Sequence, residues 1–307
     1  NNSQKIFDIK GKTIVLTGSA GKVGSRFAHI LSNAGANVIL VDKETKKNTK
    51  LESEIIKKYK TKAIAQNIDI NDSVQVEKLI TFMEANKKTA SCAGKLMHWD
   101  FNEGLKTKIV DSFGIKIDRK RAIVDVSQGK QDYKIGNREV FGLSAAATLY
   151  RRQALNTVAF TQDSGNLEHF DEDYFSYKED IDLAWRLRLW DWENWLVSDT
   201  KAYHHRTVSS SGALRERRKV RTMANKLSYR NHLITLYKNS FMKNYFKDYW
   251  YIKFYEFKKF MYLLIFERST LSGLPEFMKL IPKLKKKRKH IRKHRRVKAV
   301  DIYRWFA

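Results

Sequence analysis

Hydrophobic positions between Lys12 and Glu84 switch repeatedly between two periods. Residues 12–17, KTIVLT, are a short β-rich run. The glycine-rich stretch TGSAGKVG follows, and then Phe27, Ile30 and Leu31 fall at helical spacing. NVILVD is a second apolar run ending in Asp42. A helix near 48–60, a strand KAIAQNI and a helix SVQVEKLITFME continue the alternation. Strand and helix in turn predict an α/β class with a Rossmann-like βαβαβα front unit. Near Asn86-Lys87-Lys88 the pattern changes, and a different α/β text runs to about residue 240. From 241 onward aromatic residues interleave with lysines. Tyr251, Phe254, Tyr255 and Lys258 take helical spacing, which Tyr262 and Phe266 continue. Three segments are expected: 1–88, nucleotide-binding; 89–240, a second α/β half; and 241–307, an amphipathic aromatic-basic helical tail.

The first segment carries candidate chemistry. Gly18, Gly21 and Gly24 sit between a strand and a helix, where glycine permits a tight turn and lets backbone N–H groups approach a pyrophosphate. Asp42 ends the next strand, placed to accept from a ribose 2′-hydroxyl. Its charge repels a 2′-phosphate, so NAD is favoured over NADP. A glycine-rich turn of some other α/β unit is the plainer alternative.

The second segment holds an unusual acid cluster. Asp171, Glu172, Asp173, Glu179, Asp180 and Asp182 stand close together in a chain of net charge +27. Crowded carboxylates raise one another's pKa and call for a metal, a base or water. A helix with Leu183, Leu187 and Leu189 follows, and His204 and His205 close the stretch. The cluster reads as an acid/base or metal site, or else as an acidic turn capping the helix. Among the tryptophans that follow, Trp185 lies among leucines and reads as core.

Charge then narrows the partners. With a pI near 9.9 the chain suits an anionic partner. Residues 283–298 contain eleven Lys/Arg and no acid. With the aromatic helix before it, this run suits an anionic membrane surface. Single-stranded nucleic acid is less favoured, because the apolar run MYLLIF suits lipid. A solvated basic tail is the plainer reading. A single cysteine, Cys92, excludes an internal disulfide and suits a reducing compartment. No run reads as a signal peptide or spanning helix. The expected location is cytoplasmic, peripheral at the inner face of the cell membrane.

Two resemblances follow from these motifs. TGSAGKVG, the Val41-Asp42 pair and DIND at 69–72 resemble the short-chain dehydrogenase/reductase family over roughly the first 85 residues. The resemblance implies nucleotide contacts by Gly18, Gly21, Gly24 and Asp42, with Asp69 near the adenine. The family's Asn-Ala-Gly strand does not follow the third helix. Its Tyr-x-x-x-Lys pair has two matches, Tyr174/Lys178 and Tyr255/Lys259.

From 89 to 240, VDSFGIKID, EVFGLSAAATLYRR, FDEDYFSYKEDIDLAWRLRLWDW, AYHHRTVS and SYRNHLITLYKNS resemble the C-terminal half of family-2, rhamnosyltransferase-like glycosyltransferases. This resemblance implies a GT-A-like half and inverting transfer from a nucleotide-sugar donor to a glycan or lipid-linked acceptor. It implies Asp180 as base with Glu179 in support, and a divalent metal, Mg or Mn, met by His204. That family's Asp-x-Asp half is missing, and Asp191 stands where relatives have glycine. Sugar transfer is the leading expectation. The alternatives are an NAD-dependent oxidoreductase using Tyr174 and Lys178, and a catalytically inactive fusion or membrane-associated binding module.

Overall fold

The computed structural model describes residues 9–42, 44–67, 73–100, 105–204 and 214–306. The chain forms two compact units, Asn1–Val76 and Glu77–Ala307.

In the first unit the β-rich runs become β1 (Thr13–Thr17), β2 (Asn37–Asp42) and β3 (Ala63–Asn67), a parallel sheet in the order β1-β2-β3. β2 is central, and Val38, Ile39, Leu40 and Val41 are all buried, as a strand covered on both faces requires. Helices α1 (Lys22–Asn33) and α2 (Thr45–Tyr59) supply Ala28, Leu51 and Ile55 to the core over Val38, Leu40 and Ala63. β1 lies at the end of this sheet, whereas the first strand of a complete doubly wound sheet is interior. Val15 on β1 and Val23, Phe27 and Ile30 on α1 are accordingly each more than half exposed. The unit therefore has the form of one mononucleotide-binding half. Parallel strands, helical crossovers and α/β class agree with the sequence pattern.

Helix α3 (Ser73–Ala85) crosses the division between the units. Its Leu79, Phe82 and Met83 pack on Cys92, Trp195 and Val197 of the second unit. There β4 (Thr89–Asp100) pairs antiparallel with β5 (Leu105–Ser112). β6 (Ile115–Ile117) and β7 (Ile123–Asp125) form a separate hairpin. β8 (Arg138–Val140) and β9 (Leu149–Tyr150) precede α4 (Arg152–Val158), and β10 (Phe160–Thr161) pairs with β11 (Leu167–Glu168). Helix α5 (Glu179–Leu189) leads into β12 (Glu193–His204), which runs parallel to β4 and carries β8 on its other side. Four helices follow: α6 (Leu214–Asn239), α7 (Met242–Lys247), α8 (Tyr249–Phe266) and α9 (Gly273–His294); a short α10 (Ala299–Tyr303) ends the fold. None of the described helices is long and apolar enough to cross a membrane.

Every residue of α5 from Ile181 to Leu189 is buried, the charged ones included. Trp185 is core, packed edge-on to Phe141. Asp182 pairs with Arg186 at 2.9 Å, one helical turn on, and with Lys238 at 2.8 Å. Lys238 also binds Asp171. Asp171 receives Lys287 as well, at 2.7 Å, and the same ammonium reaches Glu168 at 2.8 Å and Asp173 at 2.9 Å. Lys283 completes the set on Asp173 at 2.6 Å. Burial works to raise the pKa of Asp171, but Lys238 and Lys287 outweigh it and hold the carboxyl well below the usual range.

Three of the six acids in the cluster, Asp171, Asp173 and Asp182, are thus neutralised by lysines from α6 and α9. The expected basic tail is in part an internal element: α9 packs on α6, and Lys287 is buried. Asp191, where glycine was expected, takes the left-handed conformation, φ 66°, and Lys88 binds its carboxylate at 2.7 Å.

Removing one member of a buried charge set strands the others without compensation, at a cost of about 3–5 kcal/mol. Lys238→Met is expected to lower the stability of the second unit by that amount, read as the midpoint of urea unfolding followed by tryptophan fluorescence. The depressed pKa of Asp171 sets the sign with pH. Its contribution is complete above the ordinary carboxylate range, near ~4, and is lost as pH falls toward the folded value.

Candidate functional site

Two sites are built from the predicted residues, one in each unit. In the first unit the chain leaves β1 at Gly18, φ +66°, and Gly21 caps α1. A β-carbon on Gly24 would lie 2.0 Å from the Gly18 carbonyl oxygen, and one on Gly21 would lie 3.2 Å from it. Only glycine at position 24 lets the helix start this close to the turn. The first N–H groups of α1 have no acceptor within the helix and carry its positive dipole end, a setting for an anion.

Asp42 closes on the turn from the end of β2. Its Oδ2 accepts from Ala20 N–H at 2.8 Å and its Oδ1 from Glu44 N–H at 2.9 Å. Beneath the turn Ser19 Oγ donates to Asn48 Oδ1 at 2.7 Å, and Asn48 Nδ2 donates to the Leu40 carbonyl at 2.9 Å. Ser19 and Asn48 are both fully buried. They anchor the turn to the sheet, and sequence reasoning missed them: Asn48 sits in the polar run KKNTK and reads as surface. Gly18, Gly21, Gly24 and Asp42 come together at this turn. Asp69 lies outside the described residues.

The second site is a cavity of about 690 Å³ in the second unit. Glu179, Asp180 and Ile181 at the start of α5 line it, with Ser144 and Ala145 opposite and His204 at the end of β12. Asp180 Oδ1 accepts from Ile181 N–H at 2.8 Å, and its Oδ2 lies 3.4 Å from Ala145 N. Burial, and then the neighbouring Glu179, push Asp180 up to about 6. Glu179 has a buried carboxylate oxygen, Oε2, with no hydrogen-bond partner. Burial, and next Lys259, bring the Lys178 ammonium down to about 8. His204 Nδ1 lies 2.9 Å from Asp111 Oδ2, which leaves Nε2 as the ring nitrogen open to a ligand. No group of three His, Cys, Asp or Glu suited to a metal ion occurs among the described residues. The expected role of His204 as a metal ligand thus has no partner set there. His205 is outside them.

The approach to Asp180 is strained. Phe175, Tyr177 and Lys178 all have positive φ, between 61° and 68°. Asn231 Nδ2 donates to the carbonyls of Tyr174, Ser176 and Tyr177 at 3.0, 2.7 and 2.7 Å and holds this turn in place. Asn231 was also missed. Its place within SYRNHLITLYKNS marks it only as a helix residue.

Tyr174 is completely buried. Its hydroxyl lies 2.8 Å from Thr235 Oγ1 and donates to Asp182 Oδ1 at 3.3 Å. Burial, and then Asp182 and Asp171, drive the phenol well above its ordinary value. Reductase chemistry needs a phenol that is accessible and more acidic, so Tyr174 with Lys178 does not serve as that pair. In the second match burial likewise raises Tyr255 and lowers Lys259, and Glu256 raises both.

Comparison with known proteins gives one family match, to short chain dehydrogenase, over residues 12–90. No curated protein matches. Among solved structures, L-sorbose reductase from Gluconobacter frateurii, complexed with NADPH and L-sorbose, is 19% identical at a TM-score of 0.21, over 29% of this chain and 35% of its own. A short-chain type dehydrogenase/reductase from Mycobacterium marinum is 22% identical at 0.22, over 30% and 37%. An alcohol dehydrogenase from the archaeon Thermococcus sibiricus, complexed with 5-hydroxy-NADP, is 17% identical at 0.21, over 32% and 43%. The chain therefore spans about a third to two-fifths of the length of these structures.

The expectation of sugar transfer is overturned by the family match, which falls on the glycine turn and likens residues 12–90 to short chain dehydrogenase. The likeness of 89–240 to glycosyltransferases and the divalent metal it implied gain no support. The structural position of Tyr174 yields a prediction of its own. Tyr174→Phe is expected to cost about 1 kcal/mol of stability through the lost hydroxyl bonds. Any nicotinamide reduction by the full chain should be unchanged, checked by urea unfolding and absorbance at the nicotinamide band.

Proposed function

We propose that the chain is an NAD(P)-dependent oxidoreductase of the short-chain dehydrogenase kind, with its nucleotide-binding part in residues 12–90. The observation that carries this reading is the turn from Gly18 to Gly24, closed by Asp42, at the head of α1. In a doubly wound sheet each half binds one mononucleotide, and the glycine turn belongs to the half that takes the adenosine side. The N-terminus of α1 would receive the pyrophosphate, and Asp42 would exchange its bond from Ala20 N–H for the ribose hydroxyls. The nicotinamide, when bound, supplies hydride acceptance. Its proton partner is not Tyr174, which is sealed in the core.

The reading is tested by titrating the full chain with NAD, NADP and ADP-ribose, followed by calorimetry. NAD and ADP-ribose should bind within a few-fold of each other, since the turn reads the adenosine half. NADP should bind more weakly, and Asp42→Ser should narrow that gap by about tenfold, roughly 1.4 kcal/mol. Gly21→Asp places a carboxylate against the pyrophosphate position and should abolish binding. Equal titration curves for the wild type and Gly21→Asp would dismiss the reading.

A second reading concerns the cavity of the other unit. Its support is the raised carboxyl of Asp180 beside Glu179 and His204. Asp180 there acts as proton acceptor for a hydroxyl-bearing ligand, since a base near neutrality takes a proton most effectively. The raised pKa fixes the sign of a stability effect. Asp180 favours the folded state when protonated; that contribution is complete below the ordinary value near ~4 and is lost as pH rises through about 6. Asp180→Asn should therefore become increasingly more stable than wild type from pH 5 to 7. Carboxyl-carbon NMR should lose one resonance titrating near 6. A wild type without such a resonance removes Asp180 from the role.

A further inference from the structure

The outer helices of the second unit enclose a feature that neither reading uses. A groove of about 650 Å³ runs between α6, α7 and α8 and ends against α9. Its walls are apolar, with Leu233 and Leu236 from α6, Met242 from α7, and Ile252, Phe257 and Phe260 from α8. Three charged groups also line it, Lys253, Glu256 and Arg288. Glu256 faces His232, with Nε2 and Oε1 2.9 Å apart, and Lys253 lies 5.7 Å from the Tyr249 ring.

The groove opens on cations. Tyr237, Met242 and Arg288 line both the groove and an adjoining hollow completed by Lys285, Lys289 and Arg292. Helix α9 presents two faces. Lys287, buried, is taken by Glu168, Asp171 and Asp173, and Lys283, one turn earlier and exposed, by Asp173. Lys285, Lys289 and Arg292, at the spacing of another face, are exposed, with no carboxylate partner among the described residues. The internal acids thus account for two of the helix's cations and leave three gathered at the groove mouth.

The outside of the groove is apolar as well. Trp250, Phe254, Phe257 and Ile265 follow one face of α8 at spacings of four, three and eight, and each is 58–80% exposed. Phe257 belongs both to this stripe and to the groove wall, so the two apolar surfaces are continuous. Aromatic side chains at the level of lipid headgroups, beside unpaired lysines and arginines, are the chemistry of an interfacial helix.

We propose that this groove seats an acyl chain of an anionic phospholipid at a bilayer surface, with the phosphate held by Lys285, Arg288, Lys289 and Arg292 and the α8 stripe in the interface. The assignment is independent of nucleotide binding. It sharpens the expectation of a basic tail on a membrane: the tail contributes one face of one helix, and the hydrocarbon contact comes from α8.

The test is flotation of the full chain with vesicles of phosphatidylcholine alone or with phosphatidylglycerol at a third of the lipid. Binding is expected only to the anionic vesicles. Lys289→Gln with Arg292→Gln should weaken it by about twenty-five-fold, from roughly fivefold for each surface cation removed. Phe257→Gln, at an exposed groove lip, should weaken it at least tenfold. Leu233→Trp, which fills the groove, should do the same with the circular dichroism spectrum retained. Glycerol 3-phosphate should not compete, because the site requires the chain. Equal binding to both vesicle types overturns the proposal. So does a loss confined to the charge pair with Phe257→Gln and Leu233→Trp unaffected, which is surface attraction without a groove. Complete competition by glycerol 3-phosphate marks a phosphate site instead. Retention of a single-stranded RNA oligonucleotide without vesicle binding assigns the cations to nucleic acid.

Discussion

The second unit depends on buried charge neutralisation. Asp171 and Asp182 are almost wholly withdrawn from solvent, and each would be untenable there as an unpaired anion. Lys238 from α6 lies between them, and Lys287 from α9 gathers Asp171 with Glu168 and Asp173. Three elements far apart in sequence are held to one locus by this exchange. Such a set contributes little net stability against an apolar core of the same volume, since desolvation offsets the attraction. What it does fix is position. The docking of helix α9 turns Lys287 inward, sets Lys283 against Asp173 at the surface, and leaves Lys285, Lys289 and Arg292 outside.

The first unit depends on a different constraint, the close approach of α1 to the turn after β1. With the Gly18 carbonyl oxygen 2.0 Å from a β-carbon position on Gly24, no other residue fits without moving backbone. Asp42 and the Ser19–Asn48 pair fix the turn from either side. The sheet is nonetheless open at β1, and α1 shows Val23, Phe27 and Ile30 to solvent. A doubly wound sheet would continue there. The family match ends at residue 90, just as β4 begins, and β4 is paired with β12, β5 and β9. The arrangement is one half of a dinucleotide fold followed by a separate mixed sheet.

Much of this was legible from the sequence for physical reasons. Short parallel strands buried on both faces announce themselves as apolar runs, and glycine is conspicuous wherever backbone must approach backbone. The three strands, two helices and the Gly18–Gly24 turn with Asp42 were therefore readable. Long-range pairing was not. That Lys287 meets Asp171 depends on how α9 packs on α6, and no local pattern marks one lysine in a run of eleven cations. Asn48 and Asn231 were missed for the same reason: a buried amide that clamps backbone carbonyls looks like any polar residue on a helix. The acids beyond residue 90 were less legible for the same reason, since Asp171, Asp173 and Asp182 meet lysines from distant helices that their local sequence does not mark.

The six acids between Asp171 and Asp182 show how that ambiguity resolves. They share one local composition, yet the fold separates them by environment. Asp171 and Asp182 receive ammonium groups that outweigh burial, and both are held below the usual carboxylate range. Asp180, two residues from Asp182 and on the opposite side of the same helix turn, faces a cavity, has no ion-pair partner among the described residues, and is raised to about 6. Neighbouring carboxylates whose pKa values are driven apart divide into those that hold structure and those free to move a proton. The division rests on the strained turn at Phe175–Lys178, since the Asn231 clamp on its carbonyls is what points the start of α5 into the cavity while the rest of the helix enters the core. The buried ion set and the open carboxyl are thus two outcomes of one packing arrangement.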